Sequence, residues 1–140
     1  MGALVVLDTN VLISALGWNA KPEACLELVL EGRLEGAISP AILEERDRVM
    51  AYPRFAFTED EKHAFVEIVV AAFHVVEPTV DLAVVDDDPD DDAVLACAVA
   101  ADADYVVSGD AHLQDLGSFR GIDVVEPATL LARVDGDAEP

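Results

Sequence analysis

The sequence predicts an α/β protein, a three-layer α/β/α sandwich around a mostly parallel central sheet. Three observations carry that expectation. Short apolar runs of strand length alternate with helix-length segments along the whole chain, the pattern of successive βα units. Two of those runs, "ALVVLD" and "DYVVSGD", end in an aspartate. Hydrophobic residues make up 53% of the 140 positions, enough to fill the core of one domain over residues 1–134. The acidic stretch 135–140 reads as a flexible tail.

Each element follows from local signals. Ala3 to Asp8 is apolar until its final acid, as in a strand buried on both faces that delivers Asp8 to its carboxyl end. Val11 to Leu16 predicts a first helix. After the break "GWNAK", Pro22 at a helix start leads "EACLELVLEG", with Gly32 past its end. Leu34 to Ser39 reads as a second strand. Ser39 can then cap a helix that holds Pro40 in its first turn and runs through "AILEERDRVM". "AYPRFAF" is a turn, and Thr58 to Glu61 has capping-box spacing for a helix over Glu59 to Phe73. His74 to Pro78 is a brief strand, and "VDLAVV" leads into an acid-rich stretch. Then come a helix over "DAVLACAVAADA", a strand over "DYVVSGD", a last strand in "IDVVEP" and a short closing helix over 128–133.

The charge balance needs a separate explanation. Eight Lys and Arg face 29 Asp and Glu, a net charge of −21. So acidic a surface ordinarily argues against nucleic acid. Acids spread through every segment, only two lysines (Lys21 and Lys62) and an apolar set rich in Ala and Val instead suggest a halophilic protein, adapted to molar salt. There the Debye length falls to about 3 Å and surface repulsion is screened. Global charge then says little about the substrate. Four of the eight cations, Arg46, Arg48, Arg54 and Lys62, fall within 17 positions and form a candidate phosphate-gripping patch. Cys25 and Cys97 lie in apolar helical runs outside any metal-binding spacing and read as buried free thiols. No apolar run approaches the roughly 18 residues of a membrane span. "MGALVVLDTN" carries neither a basic segment nor a cleavage signal, so the expected location is cytoplasmic, with no membrane association.

In open α/β sheets, ligands bind beyond the carboxyl ends of the strands, where the strand order reverses. Asp8 and Asp110 end strands, Asp91 and Asp92 begin a helix, and Glu44 and Glu45 lie in the helix after "AIS". Four acidic contributions from distant segments could meet at one sheet edge. Carboxylates so close raise one another's pKa, and an octahedral Mg²⁺ or Mn²⁺ ion relieves the repulsion. Within "DDDPDDDAV", Asp86, Asp87 and Asp90 read as solvated loop charges near a helix N-terminus.

The blocks "VVLDTNVLISAL", "SPAILEERDRVMAYPRF", "DDDPDDDAVLACAVAADADYVVSGDAHL" and "GIDVVEPATLL" resemble the PIN-domain family in order and spacing, over nearly the whole chain. The branch they resemble is that of the toxin components of toxin–antitoxin pairs, relatives of the VapC toxins. This resemblance implies an endoribonuclease that hydrolyses RNA phosphodiester bonds with a water activated by one or two Mg²⁺ or Mn²⁺ ions. It implies Asp8, Glu45, Asp92 and Asp110 as the acids, with Asp91 as an alternative third acid and Glu44 as the register alternative to Glu45. Asn10 and Ser108 match supporting positions, Ser108 standing where a threonine is common. A homodimer and a cognate antitoxin protein are implied as partners beside the RNA. Two other functions compete. "LDTNV" and "GDAHLQD" resemble motifs of haloacid-dehalogenase-like phosphatases, with Asp8 as nucleophile, but Asn10 replaces that family's second aspartate and no suitably placed lysine follows. A PIN-like module that binds RNA or protein without cleaving is the non-enzymatic alternative.

Overall fold

The computed structural model describes residues 3–8, 11–12, 20–44, 58–77 and 89–138. Among these, six strands form one sheet: β1 (Leu4–Leu7), β2 (Glu35–Ile38), β3 (Phe73–Val75), β4 (Tyr105–Val107), β5 (Ser118–Phe119) and β6 (Ile122–Val125). Their order is β3-β2-β1-β4-β6-β5, parallel throughout except for the antiparallel pair β5–β6. The helices are α1 (Ala20–Leu30), α2 (Glu59–Ala72), α3 (Pro89–Ala101), α4 (Ala111–Leu116) and α5 (Pro127–Ala138). This is the α/β sandwich with a mostly parallel sheet that the alternating pattern predicts.

The sequence dictates the centre of the sheet. β1 reads Leu-Val-Val-Leu, and Val5, Val6 and Leu7 are all buried, whichever face they point to. Unbroken apolar character marks a parallel strand covered on both sides. Its neighbour β4 buries Val106 and Val107 in the same way. α3 lies across β1, β2 and β4 and buries five consecutive residues, Val94 to Ala98. A helix so apolar around its circumference has no solvent face along that stretch. α1 packs against α5, where the Cys25 thiol reaches the Pro127 carbonyl at 3.6 Å.

Helix ends follow the signals in the chain. Thr58 Oγ1 accepts from the Glu61 amide at 3.1 Å, and Glu61 Oε1 accepts from the Thr58 amide at 2.9 Å, closing the expected capping box. Gly32 ends α1 in the left-handed region (φ +79°), with its amide on the Val29 carbonyl and that of Arg33 on Leu28. Asp102 performs the same turn after α3 at φ 56°.

Several boundaries differ from the sequence reading. α3 begins at Pro89, so Asp90 stands in its first turn and is not a loop charge. Proline at a first helical position explains the start: its missing N–H would have no partner there. Phe73 belongs to β3 and ends the preceding helix one residue early. The closing helix, expected over 128–133, runs Pro127–Ala138 and so enters the acidic stretch. β5 was not anticipated. It pairs with β6 through Arg120-Gly121, both at positive φ (52° and 82°), a two-residue turn of type I′ character. The expected helix 11–16 is described only at 11–12, which are helical, and "VDLAVV" lies outside the described residues.

Candidate functional site

The chain leaves β1 towards one side of the sheet, through β2 and β3, and returns by α3 to β4 on the other side. The β1–β4 pair is therefore the point where strand order reverses, the place where open α/β sheets bind ligands. Leu7 faces Val107 across this pair, so the next residues on each strand, Asp8 and Ser108, meet at the carboxyl edge.

Asp8 turns the chain from strand to helix. Its amide continues the ladder to the Val107 carbonyl at 3.0 Å, and its carbonyl accepts from Val11 and Leu12 at 2.9 and 3.1 Å. Asp8 is only 3% exposed, an unusual place for a carboxylate. Buried acids require hydrogen-bond donors or charge partners. Ser108, itself fully buried, supplies one: its Oγ donates to Asp8 Oδ2 at 2.8 Å. The same oxygen accepts from the Asp110 amide at 2.9 Å. One hydroxyl thus links the first acid to the loop that carries the last. Asp110, partly exposed, also begins α4, with Oδ1 accepting from the Leu113 amide at a long 3.4 Å.

The other predicted site residues divide by segment. β2 lies beside β1 with Ala37 opposite Val6, which brings fully buried Ser39 to the row of Asp8. Ser39 caps residues 40–44 as expected, its Oγ accepting from Ile42 and its carbonyl from Leu43. Glu44 is exposed on that turn. Glu45, Asn10, Arg46, Arg48 and Arg54 lie outside the described residues. Asp91 and Asp92 occupy the first turn of α3, and their side chains are likewise outside. α3 has 13 residues, hence a length of about 20 Å, and feeds β4 from its C-terminal end. Its N-terminus therefore points towards the carboxyl edge that holds Asp8. Asp8, Ser108 and Asp110 are the predicted residues that the described structure brings together.

Two residues at this edge had no part in the sequence reading. Gln114, one helical turn beyond Asp110, donates from Nε2 to the Ser108 carbonyl at 2.9 Å and to Glu126 Oε1 at 3.2 Å. Glu126 follows the last residue of β6, as Asp8 follows β1. The rule that an acid ends a strand applied equally to "IDVVE".

Among the described residues, no group of three His, Cys, Asp or Glu side chains could hold a metal ion. The Asp8 carboxylate nevertheless stands beside the Ser108 hydroxyl, and that hydroxyl is bonded to the backbone of Asp110, a second carboxylate-bearing residue. Such hard donors suit Mg²⁺ or Mn²⁺, which bind through one or two carboxylates and keep several waters. The thiols offer no alternative chemistry. Burial pushes Cys25 up to about 11 and Cys97 to about 12, the latter despite a hydrogen bond with Ser39 that acts in the opposite direction. Neither is a thiolate near neutrality.

Sheet order and an oxygen-lined carboxyl edge define an α/β fold with an acidic site at its switch point. The PIN domain model matches residues 4–112, and the chain belongs to the PIN-domain family. PIN domains are typically nucleases. No curated protein matches in sequence. Two solved structures share the fold at low identity. One is VapBC2 from Rickettsia felis bound to a DNA fragment from their promoter: TM-score 0.61, 12% identity, 86% of this chain and 96% of that one covered. The other is PAE2754 from Pyrobaculum aerophilum: TM-score 0.61, 16% identity, 96% and 90% covered. Among the described residues, no helix is long and apolar enough to cross a membrane.

Proposed function

We propose that this protein is a metal-dependent endoribonuclease, the toxin of a toxin–antitoxin pair, hydrolysing RNA phosphodiester bonds. The observation that carries the reading is buried Asp8, held by Ser108 at the strand-order switch point and joined through it to the Asp110 loop. Membership of the PIN-domain family supports the nuclease class, and the likeness in fold to the VapBC2 complex supports an antitoxin partner.

In this reading Asp8, Glu45, Asp92 and Asp110 hold one or two Mg²⁺ or Mn²⁺ ions, with Asp91 a further ligand or the register alternative. A divalent cation there supplies charge neutralisation at the scissile phosphate and a more acidic water. Ser108 fixes the orientation of Asp8, and Asn10 is a further supporting residue, as the family resemblance implies. One carboxylate takes the proton of the attacking water, and no side chain forms a covalent intermediate. Arg46, Arg48 and Arg54 grip the RNA backbone on an otherwise acidic body. The active form is a homodimer, and its antitoxin covers the acids with a cationic segment. The host is a halophile.

The test is cleavage of single-stranded and structured RNAs in molar KCl with Mg²⁺ or Mn²⁺. The parent should cut and Asp8→Asn should be slower by about 100-fold or more, the scale for losing a group that acts in the transition state. Equal rates for the two proteins would remove Asp8 from the mechanism.

A further inference from the structure

The loop that carries Asp110 runs through Gly109. Gly109 is exposed, has no side chain, and would meet nothing within 4 Å if it had a Cβ. Gly109 therefore adds no packing of its own between Asp110 and buried Ser108, and hydrogen bonds set the path of the chain there. Ser108 is anchored on one side, where its amide donates to the Val125 carbonyl at 3.0 Å. Its carbonyl, part of the Ser108–Gly109 peptide, accepts from Gln114 Nε2 at 2.9 Å. The backbone amide of Gln114 also donates to the Asp110 carbonyl at 3.0 Å. One residue thus fastens both ends of the Ser-Gly-Asp loop.

The amide suits this task. Nε2 carries two hydrogens, and two acceptors, the Ser108 carbonyl and the Glu126 carboxylate, face it. A glutamate of the same shape would face both with lone pairs.

We propose that Gln114 is a positioning residue of the acidic site: by clamping the Ser108 carbonyl, it keeps the Ser108 hydroxyl between Asp8 and the Asp110 amide. Its effect on catalysis rests on the nuclease reading above; its effect on the loop does not. Glu126 is the secondary partner, because its carboxylate is exposed and water can replace it.

The experiment compares the parent with Gln114→Leu, Gln114→Glu, Glu126→Ala and the double variant Gln114→Glu/Glu126→Gln. Amide hydrogen exchange at Asp110 reports the loop and needs no activity. Exchange at Val106, in the middle of β4, reports the sheet. Gln114→Leu and Gln114→Glu should speed exchange at Asp110 about ten-fold, the factor one lost hydrogen bond is worth, and leave Val106 unchanged. Should Gln114→Leu not fold, the isosteric Gln114→Glu carries the test. In RNA cleavage, kcat should fall by a similar factor with KM within about two-fold. For Gln114→Glu the deficit should shrink as pH falls, because a protonated carboxyl can donate to the Ser108 carbonyl. Glu126→Ala should stay close to the parent. The double variant restores a donor between positions 114 and 126 but none for Ser108, and should remain impaired.

Unchanged exchange at Asp110 in both single variants at position 114 would overturn the inference, as would full recovery in the double variant. A parent that cuts no RNA while Gln114→Glu still loosens Asp110 would defeat the nuclease reading and uphold the clamp.

Discussion

Ser108 Oγ donates to Asp8 Oδ2 across 2.8 Å, joining two buried groups 100 residues apart in sequence. The contact lies on the seam between the two halves of the sheet, β1 with β2 and β3 on one side, β4 with β6 and β5 on the other. It therefore serves stability and site geometry together. Ser108→Ala removes a donor from a buried carboxylate and an acceptor from the Asp110 amide. It should cost about 1–3 kcal/mol in urea unfolding. Ser108→Thr keeps the hydroxyl and should retain most of the stability. A Ser108→Ala protein with the parent's midpoint would mean that water or another group satisfies Asp8.

A second prediction concerns Gly36 in β2, which faces Phe73 across the β2–β3 pair. A Cβ at position 36 would sit 2.5 Å from Phe73 Cδ2, 2.6 Å from Cε2 and 3.0 Å from Val29 Cγ1. The ring lies over the glycine, and both Phe73 and Val29 are buried, so neither can swing away freely. Gly36→Ala should destabilise by about 1–3 kcal/mol through overpacking, despite the better strand propensity of alanine. Gly36→Ala combined with Phe73→Leu should recover part of that loss. A neutral Gly36→Ala would show that the sheet edge gives way more easily than its packing implies.

The Thr58–Glu61 capping box predicts a pH dependence. Hydrogen bonds from the Thr58 backbone and then its hydroxyl hold the Glu61 carboxyl below the usual glutamate range. A carboxyl with a depressed folded-state pKa stabilises the fold above its unfolded pKa, and that contribution is lost as pH falls through the folded value. The difference in melting temperature between the parent and Glu61→Gln should therefore be largest near neutrality and close in acid. A difference that stays constant from neutral pH to about pH 3 would refute this coupling. Thr58→Ala removes the other half of the box and should cost about 1 kcal/mol at neutral pH.

How much of this was legible in the sequence depended on whether the signal was local. "ALVVLD" and "DYVVSGD" announced strands with acids at their ends because apolar continuity and the terminal charge lie in the same few residues. The capping box and Gly32 were legible for the same reason. β5 was not, since two residues, Ser118 and Phe119, carry no periodicity, and its turn places Arg120 at a positive φ that arginine does not signal. The start of α3 was within reach, because proline favours the first helical position, but the surrounding aspartates suggested a loop. Glu126 carries the same local signal as Asp8, an acid directly after a strand, whereas Gln114 carries none, because its role follows from its contacts with the Ser108 carbonyl and Glu126 in the folded chain. The membership of Glu45 and of Asp91 or Asp92 in the acidic site is a proposal resting on family resemblance.

The net charge of −21 makes a final prediction about salt. The described ion pairs compensate little of it. Lys62–Glu59, His63–Glu67, His74–Glu35 and Arg133–Asp123 are all at least partly exposed, and two depend on a protonated histidine. Exposed pairs of this kind contribute about 0–1 kcal/mol each, while the excess acids repel through the solvent at low ionic strength. At about 1 M KCl the Debye length shortens to about 3 Å, below the spacing of most surface charges. The melting temperature should thus rise by about 3 °C or more between 0.1 and 1 M KCl, the shift that roughly 1 kcal/mol produces at this size. Most of the gain should appear early in the titration, where screening changes fastest. Sucrose at matched osmolality separates this effect from solvent exclusion, because it stabilises folded proteins without screening charge. If sucrose reproduces the whole rise, charge repulsion does not limit the fold. If KCl alone raises the melting temperature, the surface acids are tolerated through screening, and any assay of the Asp8 site must be run in salt.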